Sequence, residues 1–334
     1  MKSRKLALTV LIMIIVLITA ACSGSQEEGT TKSAEGKPII KVGYLPITHS
    51  LPLVVAHKLD GNQYKNFELE LVKFSSWPEL TEALNSGQIQ AGITMFELAM
   101  VSKQRGIPNE IVLLSHRNGD VLVVNKEIND IRELKGKLVA IPHRLSGHNI
   151  LLYKALRENG IDYDEVEKVE MAPPDMPAAL ARGEIAGYIV AEPFGAQSVV
   201  SGTGKVLLRA QDIWPNWICC GLVINPRYMP EDPEILQELV DSLVRAGKFI
   251  EQQQGEAINI ALEYMQIKAE LWEQSLEWIS YDDLLPTRGE FVDLQKYLLE
   301  LPWNGKPRTL LSREVNLEEL VNPQYAVQAY EKVK

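Results

Sequence analysis

Cysteine is scarce in this chain, with three in 334 residues, at Cys22, Cys219 and Cys220. Neither a disulfide framework nor a four-cysteine metal site can be assembled from so few, so the fold must rest on its core. Basic charge is also short. Thirty-four Lys and Arg stand against 44 Asp and Glu, giving a formal net charge of -10 with no compensating basic block. That balance has the wrong sign for a phosphate-backbone binder, and nucleic acid is excluded as a partner. The five histidines, His49, His57, His116, His143 and His148, show no HExxH spacing, and no GxSxG, P-loop or GxGxxG occurs. The catalytic signatures that such spacings carry are therefore missing, and the expectation is a protein that is not an enzyme and uses no cofactor. Beyond residue 37 there is no repeat, heptad array or low-complexity tract.

What is present begins with an address. Lys2, Arg4 and Lys5 precede an apolar run of 16 residues from Leu6 to Ala21, the layout of a secretory signal and short for a membrane span. Ile18-Thr19-Ala20-Ala21-Cys22 resembles a bacterial lipobox, which implies cleavage after Ala21 and lipidation of Cys22. An ordinary signal peptide with a coincidental cysteine is the alternative. Acyl chains on one residue hold a domain at a membrane, at about 0.8 kcal/mol per buried methylene. Residues 22–37 then read as the lipidated cysteine and a polar, Gly/Ser/Glu-rich tether. The expected location is the outer face of a bacterial cell membrane.

From Pro38 onward, short β-rich runs alternate with helical periods, which argues for an α/β fold. Strands are expected at 39–45, 67–74 and 90–95, with helices at 50–59, 77–87 and 96–106. Three βα units in succession favour a parallel sheet. The segment 111–126 breaks the rhythm, because two apolar runs meet around Arg117-Asn118-Gly119-Asp120 with no helix between them. A chain crossing between two lobes reads this way. The βα pattern restarts with strands at 136–142, 166–172 and 185–191 and helices at 146–160, 175–184 and from Pro193. Strands at 205–213 and 217–226 follow, the second read as the return crossing, and only helices are expected after it. The expected organisation is residues 38–117 and 221–334 as lobe 1 and 118–220 as lobe 2. Two hinge strands join the lobes, and a helical C-terminal return completes lobe 1.

Ligands of open α/β sheets bind beyond the strand C-termini, which selects the candidate site residues. Thr48, His49 and Ser50 follow the first strand, and Phe96 and Glu97 follow the third. His143, Arg144, Ser146, Gly147, His148 and Asn149 join a lobe 2 strand to a helix whose free N–H groups, with Arg144, suit an anion. The bland alternative is that Ser146 only caps the helix while Arg144 and both histidines face water. Glu192 ends another strand, and Trp214 and Trp217 either floor the pocket or pack the hinge. His49, His143, His148 and Glu192 are the residues that could meet as metal ligands, but the sequence sets no distance among them and the expectation is a site without metal. Cys219 and Cys220 are expected as buried free thiols pointing to opposite faces of a strand.

Gly43-Tyr44-Leu45-Pro46, the helix at 50–59, GQIQAGITM (87–95), GDVLVVNK (119–126), LKGKLVAIP (134–142) and ARGEIAGYIVAEPFGA (181–196) together resemble a known family. They are similar to the solute-binding proteins of nitrate, taurine, aliphatic sulfonate, bicarbonate and thiamine-precursor ABC transporters. The resemblance covers most of residues 38–226. It implies the two-lobed type II periplasmic binding protein fold and a monomer that captures one small solute and delivers it to a permease and ATPase complex. It also implies a ligand shell at 46–50, 95–97 and 143–149 with Glu192. The histidines match no nitrate, taurine or pyrimidine pattern. Arg144 favours a small oxyanion such as a sulfonate, nitrate or bicarbonate, whereas Phe96, Phe194 and the tryptophans suit a flat heterocycle. Fungal pyrimidine synthases of thiamine biosynthesis share this fold and carry a cysteine-rich run near the position of Cys219-Cys220, which makes an enzyme the runner-up. A solute sensor is a further alternative.

Cys22→Ala is expected to release the protein from membranes or to leave its precursor uncleaved. Unchanged mass and unchanged membrane partition would contradict lipidation.

Overall fold

The computed structural model describes residues 32–301 and 311–333. The segment expected to be a signal sequence, Cys22 and most of the expected tether lie outside the described residues. Among the described residues, no helix is long and apolar enough to cross a membrane.

The strands in chain order are β1 (Ile39–Tyr44), β2 (Glu68–Lys73), β3 (Ala91–Met95), β4 (Glu110–Leu114), β5 (Arg117–Asn118) and β6 (Asp120–Val124). They continue with β7 (Leu138–Ile141), β8 (Glu167–Glu170), β9 (Gly187–Ala191), β10 (Lys205–Arg209), β11 (Cys220–Ile224) and β12 (Ile279–Ser280). One five-stranded sheet has the order β2-β1-β3-β11-β4 and a second has β10-β6-β9-β7-β8. β1 runs parallel to β2 and β3, as successive βα units require, and β11 inserts antiparallel between β3 and β4. In the second sheet β7 is parallel to β8 and β9, while β6 and β10 are antiparallel additions. Both sheets are thus mixed, and each is built around βα units, which is the expected α/β class.

Local chemistry explains the helices that flank the sheets. Ser76 is extended at φ -145° and its Oγ accepts the Glu79 N–H, while Gly87 ends that helix in the left-handed region at φ 82°. Asp232 caps helix Pro233–Gln252 in the same way. Ile235, Leu236, Leu239, Val240, Leu243 and Ile250 are buried along it, one face of a 3.6-residue period. Elsewhere the period misleads. The run 205–213 is strand only to Arg209 and then turns into helix Ala210–Ile213, because the Asp212 carboxylate accepts the Arg209 N–H and closes a helical turn. The stretch after β11 is also not purely helical, since β12 pairs with β5.

The first passage between sheets depends on a left-handed pair, Asn118 at φ 61° and Gly119 at φ 81°. A Cβ on Gly119 would lie 2.7 Å from Ile279 Cδ1, so a side chain there is excluded on steric as well as backbone grounds. The bare backbone it leaves is fully used. Gly119 N–H donates to Trp278 O at 2.9 Å, and Gly119 O accepts the Glu192 N–H at 3.0 Å.

Candidate functional site

β6 is an entirely buried strand, yet it begins with a carboxylate, Asp120. Three side chains from separate segments meet that group. Trp217 Nε1–H donates to Asp120 Oδ2 at 2.7 Å, His148 Nε2 lies 2.9 Å from Oδ1, and His49 Nε2 lies 3.4 Å from Oδ1. Burial alone would raise the Asp120 carboxyl, but the fields of His148 and His49 and the His148 approach outweigh it and hold the group below the usual carboxylate range. Burial pushes His49 down to about 4 and His116 well below its ordinary value. The His49 and His116 rings stack with centroids 3.6 Å apart, and the His116 Nδ1 faces Asn118 O at 2.9 Å.

Thr48, His49, His148 and Glu192 are brought together. Thr48 N–H and Oγ1–H both donate to Glu192 O, at 3.1 and 2.9 Å, and Thr48 O accepts Tyr281 Oη–H at 2.8 Å. The Glu192 carboxylate accepts Ala196 N–H at 2.9 Å and Ser275 Oγ–H at 3.0 Å through Oε2, whereas Oε1 has no partner. Burial lifts Glu192 to about 8, and Glu97, whose oxygens also lack well-aligned partners, to about 8. Glu97 approaches this region through Gly147, where an added Cβ would lie 2.6 Å from both Glu97 Oε1 and Trp217 Cζ2. Ser50 is buried with its Oγ unpartnered.

The remaining candidates lie elsewhere or are occupied. Ser146 caps its helix by accepting Asn149 N–H at 3.3 Å. The Asn149 side chain is held between Arg144 O and Tyr163 Oη, and His143 Nδ1 accepts Leu145 N–H at 3.1 Å. Arg144 is exposed, with its backbone N–H on Glu170 at 2.6 Å. Phe96 packs edge-on against Phe291. Trp214 packs against Trp217 and Tyr297 and lines a separate cavity of about 260 Å³ with Asn216 and Glu290. Cys219 and Cys220 are buried and free, but their sulfurs approach to 3.5 Å rather than facing apart, because Cys219 precedes β11 and escapes the strand alternation.

Above the buried cluster lies a cavity of about 280 Å³, bounded on one side by Leu45, Pro46, Ile47, Phe74 and Trp77 and on the other by Pro142, Pro173, Pro174, Ala191 and Phe194. Its polar members are Lys73, Ser75 and His148. The first group comes from segments adjoining β1 and β2, and the second from segments adjoining β7, β8 and β9. The shell expected at 46–50 and the mention of Phe194 reached Pro46, Ile47 and Phe194 of this lining, but sequence reasoning missed the rest of it and the central place of Asp120. A charged residue opening the otherwise apolar run DVLVV was the available signal for the latter.

A profile of the NMT1-like family matches residues 33–263. A putative aliphatic sulfonates-binding protein of Escherichia coli is 22% identical over 86% of this chain and 90% of its own length. The taurine-binding periplasmic protein of Escherichia coli is 32% identical over 52% of this chain and 55% of its own length. Among solved structures, the ligand-binding component of an ABC-type import system from Staphylococcus aureus, with zinc bound, is 32% identical with a TM-score of 0.79. The match covers 87% of this chain and 98% of that one. The periplasmic nitrate-binding protein of Synechocystis shares the fold at 15% identity and a TM-score of 0.75, with 89% of each chain covered.

The protonated Glu192 carries a pH signature. Its ordinary value is 4.5 and its folded value is about 8. The folded state therefore binds more protons in that window, and the group's contribution to stability, complete below about 4.5, is lost as pH rises through about 8. Glu192→Gln keeps an acceptor for Ser275 and Ala196 but cannot ionise. Urea denaturation of unliganded protein at pH 5 and pH 8 should show the variant gaining stability relative to wild type at the higher pH. A pH-independent difference would contradict a buried neutral carboxyl.

Proposed function

The chain belongs to the NMT1-like family, and from that premise we propose that it is the extracytoplasmic solute-binding lipoprotein of an ABC importer. In this reading residues 38–117 and 221–334 form lobe 1 and residues 118–220 form lobe 2, a division supported by the strands of the two five-stranded sheets, although Cys220 opens β11 and β5 straddles the boundary at 117 and 118. The protein works as a monomer, anchored through Cys22, and hands its solute to a permease and ATPase complex. The binding-protein relatives support capture without turnover.

The observation that carries the reading is the cavity of about 280 Å³ walled by segments from both sheets. Its size and its proline and aromatic lining favour an organic solute with an apolar body, such as a substituted heterocycle or a short alkyl sulfonate. Nitrate or bicarbonate would leave most of that apolar wall uncovered, and Arg144, which together with the N-terminus of its helix raised the oxyanion expectation, is not in the lining. Lys73 and Ser75 at the rim suit the solute's polar or anionic end, and His148 suits a hydrogen-bonding edge. Zinc in the Staphylococcus aureus relative favours a second, compatible reading, a metal-binding capacity in this chain.

The solute extracted from purified protein and identified by mass spectrometry supplies the test. Phe194 is partly buried at the cavity wall. Phe194→Ala should weaken binding at least about tenfold, or about 1.4 kcal/mol, in calorimetric titration. The solute should be recovered chemically intact after prolonged incubation. Wild-type affinity in the variant would move the pocket elsewhere, and conversion of the solute would make the protein an enzyme.

A further inference from the structure

We propose that His49, His116, Cys219 and Cys220 form a buried site for a thiophilic divalent cation of the zinc class, at the base of the cleft where both chain crossings meet. This rests on the metal-binding reading above and is independent of the solute's identity. One donor atom from each of the four residues lies within 4.8 Å of the others, and all four residues are buried. Two imidazole nitrogens and two sulfurs are the donor set of tetrahedral zinc sites, and soft thiolates select against magnesium and calcium.

The spacing is close to that required. Bonds of about 2.0–2.3 Å to a tetrahedral ion put donors about 3.3–3.8 Å apart, and the two sulfurs are already 3.5 Å apart. Their separation is far beyond the disulfide bond length of about 2.05 Å. The nitrogens are also available. His49 Nδ1 and His116 Nε2 are buried with no hydrogen-bond partner, a cost that a ligated ion would remove. His116 Nδ1 meets Asn118 O at 2.9 Å, the second contact that orients a ligating imidazole and leaves Nε2 for the ion.

Asp120, His148 and Cys219 form an overlapping set with the same 4.8 Å limit. Cys219 belongs to both sets, and Asp120 supplies a negative charge beside the ion. Such a site would tie the loop after β1 to both passages between the sheets. Binding deprotonates the thiols, so each Cys that ligates releases its proton to solvent as a metal–sulfur bond forms, with no change of oxidation state.

The test uses the reduced chain, stripped with chelator and titrated with cobalt(II) as a spectroscopic stand-in for zinc. One equivalent should give the intense near-ultraviolet band of thiolate-to-cobalt charge transfer together with the strong visible bands of tetrahedral coordination. Zinc should then displace both. Cys219→Ser should abolish the charge-transfer band or reduce it by at least about half, and weaken zinc binding more than about a hundredfold, beyond what the loss of an orienting group costs. Cys220→Ser should reduce the band with the same sign. Cobalt binding without a thiolate band in the wild-type chain, no stoichiometric binding at all, or unchanged spectra in folded Cys219→Ser and Cys220→Ser would each overturn the site. The wild-type titration decides even where a variant fails to fold. Loss of the metal site with solute binding intact would leave the transport reading standing.

Discussion

A carboxylate buried where the two sheets meet is the constraint that organises this protein. Asp120 has no exposed surface, and an ionised group there survives only if its surroundings replace water. The replacements come from three distant parts of the chain: Trp217 before β11, His148 in the first turn of helix Gly147–Glu158, and His49 after β1. Removing one partner from such a buried charge typically costs about 3–5 kcal/mol. Asp120 therefore fixes the relative positions of both crossings, one cleft loop of the first sheet and one cleft helix of the second.

Other interactions build outward from that point. Gly119, whose backbone geometry places Asp120, also receives the Glu192 N–H, and Glu192 O receives both donors of Thr48. This chain of hydrogen bonds sets the end of β9 beside the loop after β1. The walls of the cavity are these same segments continued: Leu45, Pro46 and Ile47 precede Thr48, Ala191 precedes Glu192, and Phe194 follows it closely. The polar cluster positions the site, and the apolar surface above it supplies the area that a solute would cover. A tightly bonded base below an adaptable wall suits a family whose members bind different solutes on one fold.

The fold was readable in the sequence because its signals are local. The period-two run of β2, the Ser76 and Gly87 boundaries of helix Trp77–Ser86, and the apolar face of helix Pro233–Gln252 each declare themselves within a few residues. The errors at Arg209 and β12 come from tertiary partners, a capping carboxylate and a strand from across the sequence, that override local pattern. The buried cluster beneath the cavity was only half readable. Strand-end logic found Thr48, His49, His148 and Glu192, because a strand's C-terminal end is a position the chain itself marks. It could not tell that the Asn149 side chain is occupied by Tyr163 and the Arg144 backbone, or that Trp214 belongs to another cavity. Nor could it see the meeting of His116 and the cysteines, whose sequence separation is about a hundred residues and whose proximity only the crossing geometry creates.

The central claim is that a solute is held between the loops of the two sheets, directly over the Asp120 cluster. A crystal structure of the protein with the solute it carries from its host tests this most directly. The account predicts density for an organic molecule touching Pro46 and Phe74 on one side and Pro142 and Phe194 on the other, with His148 beneath it. Density for the solute in the Trp214 cavity or on an outer surface, with the central cavity free of it, would contradict the account.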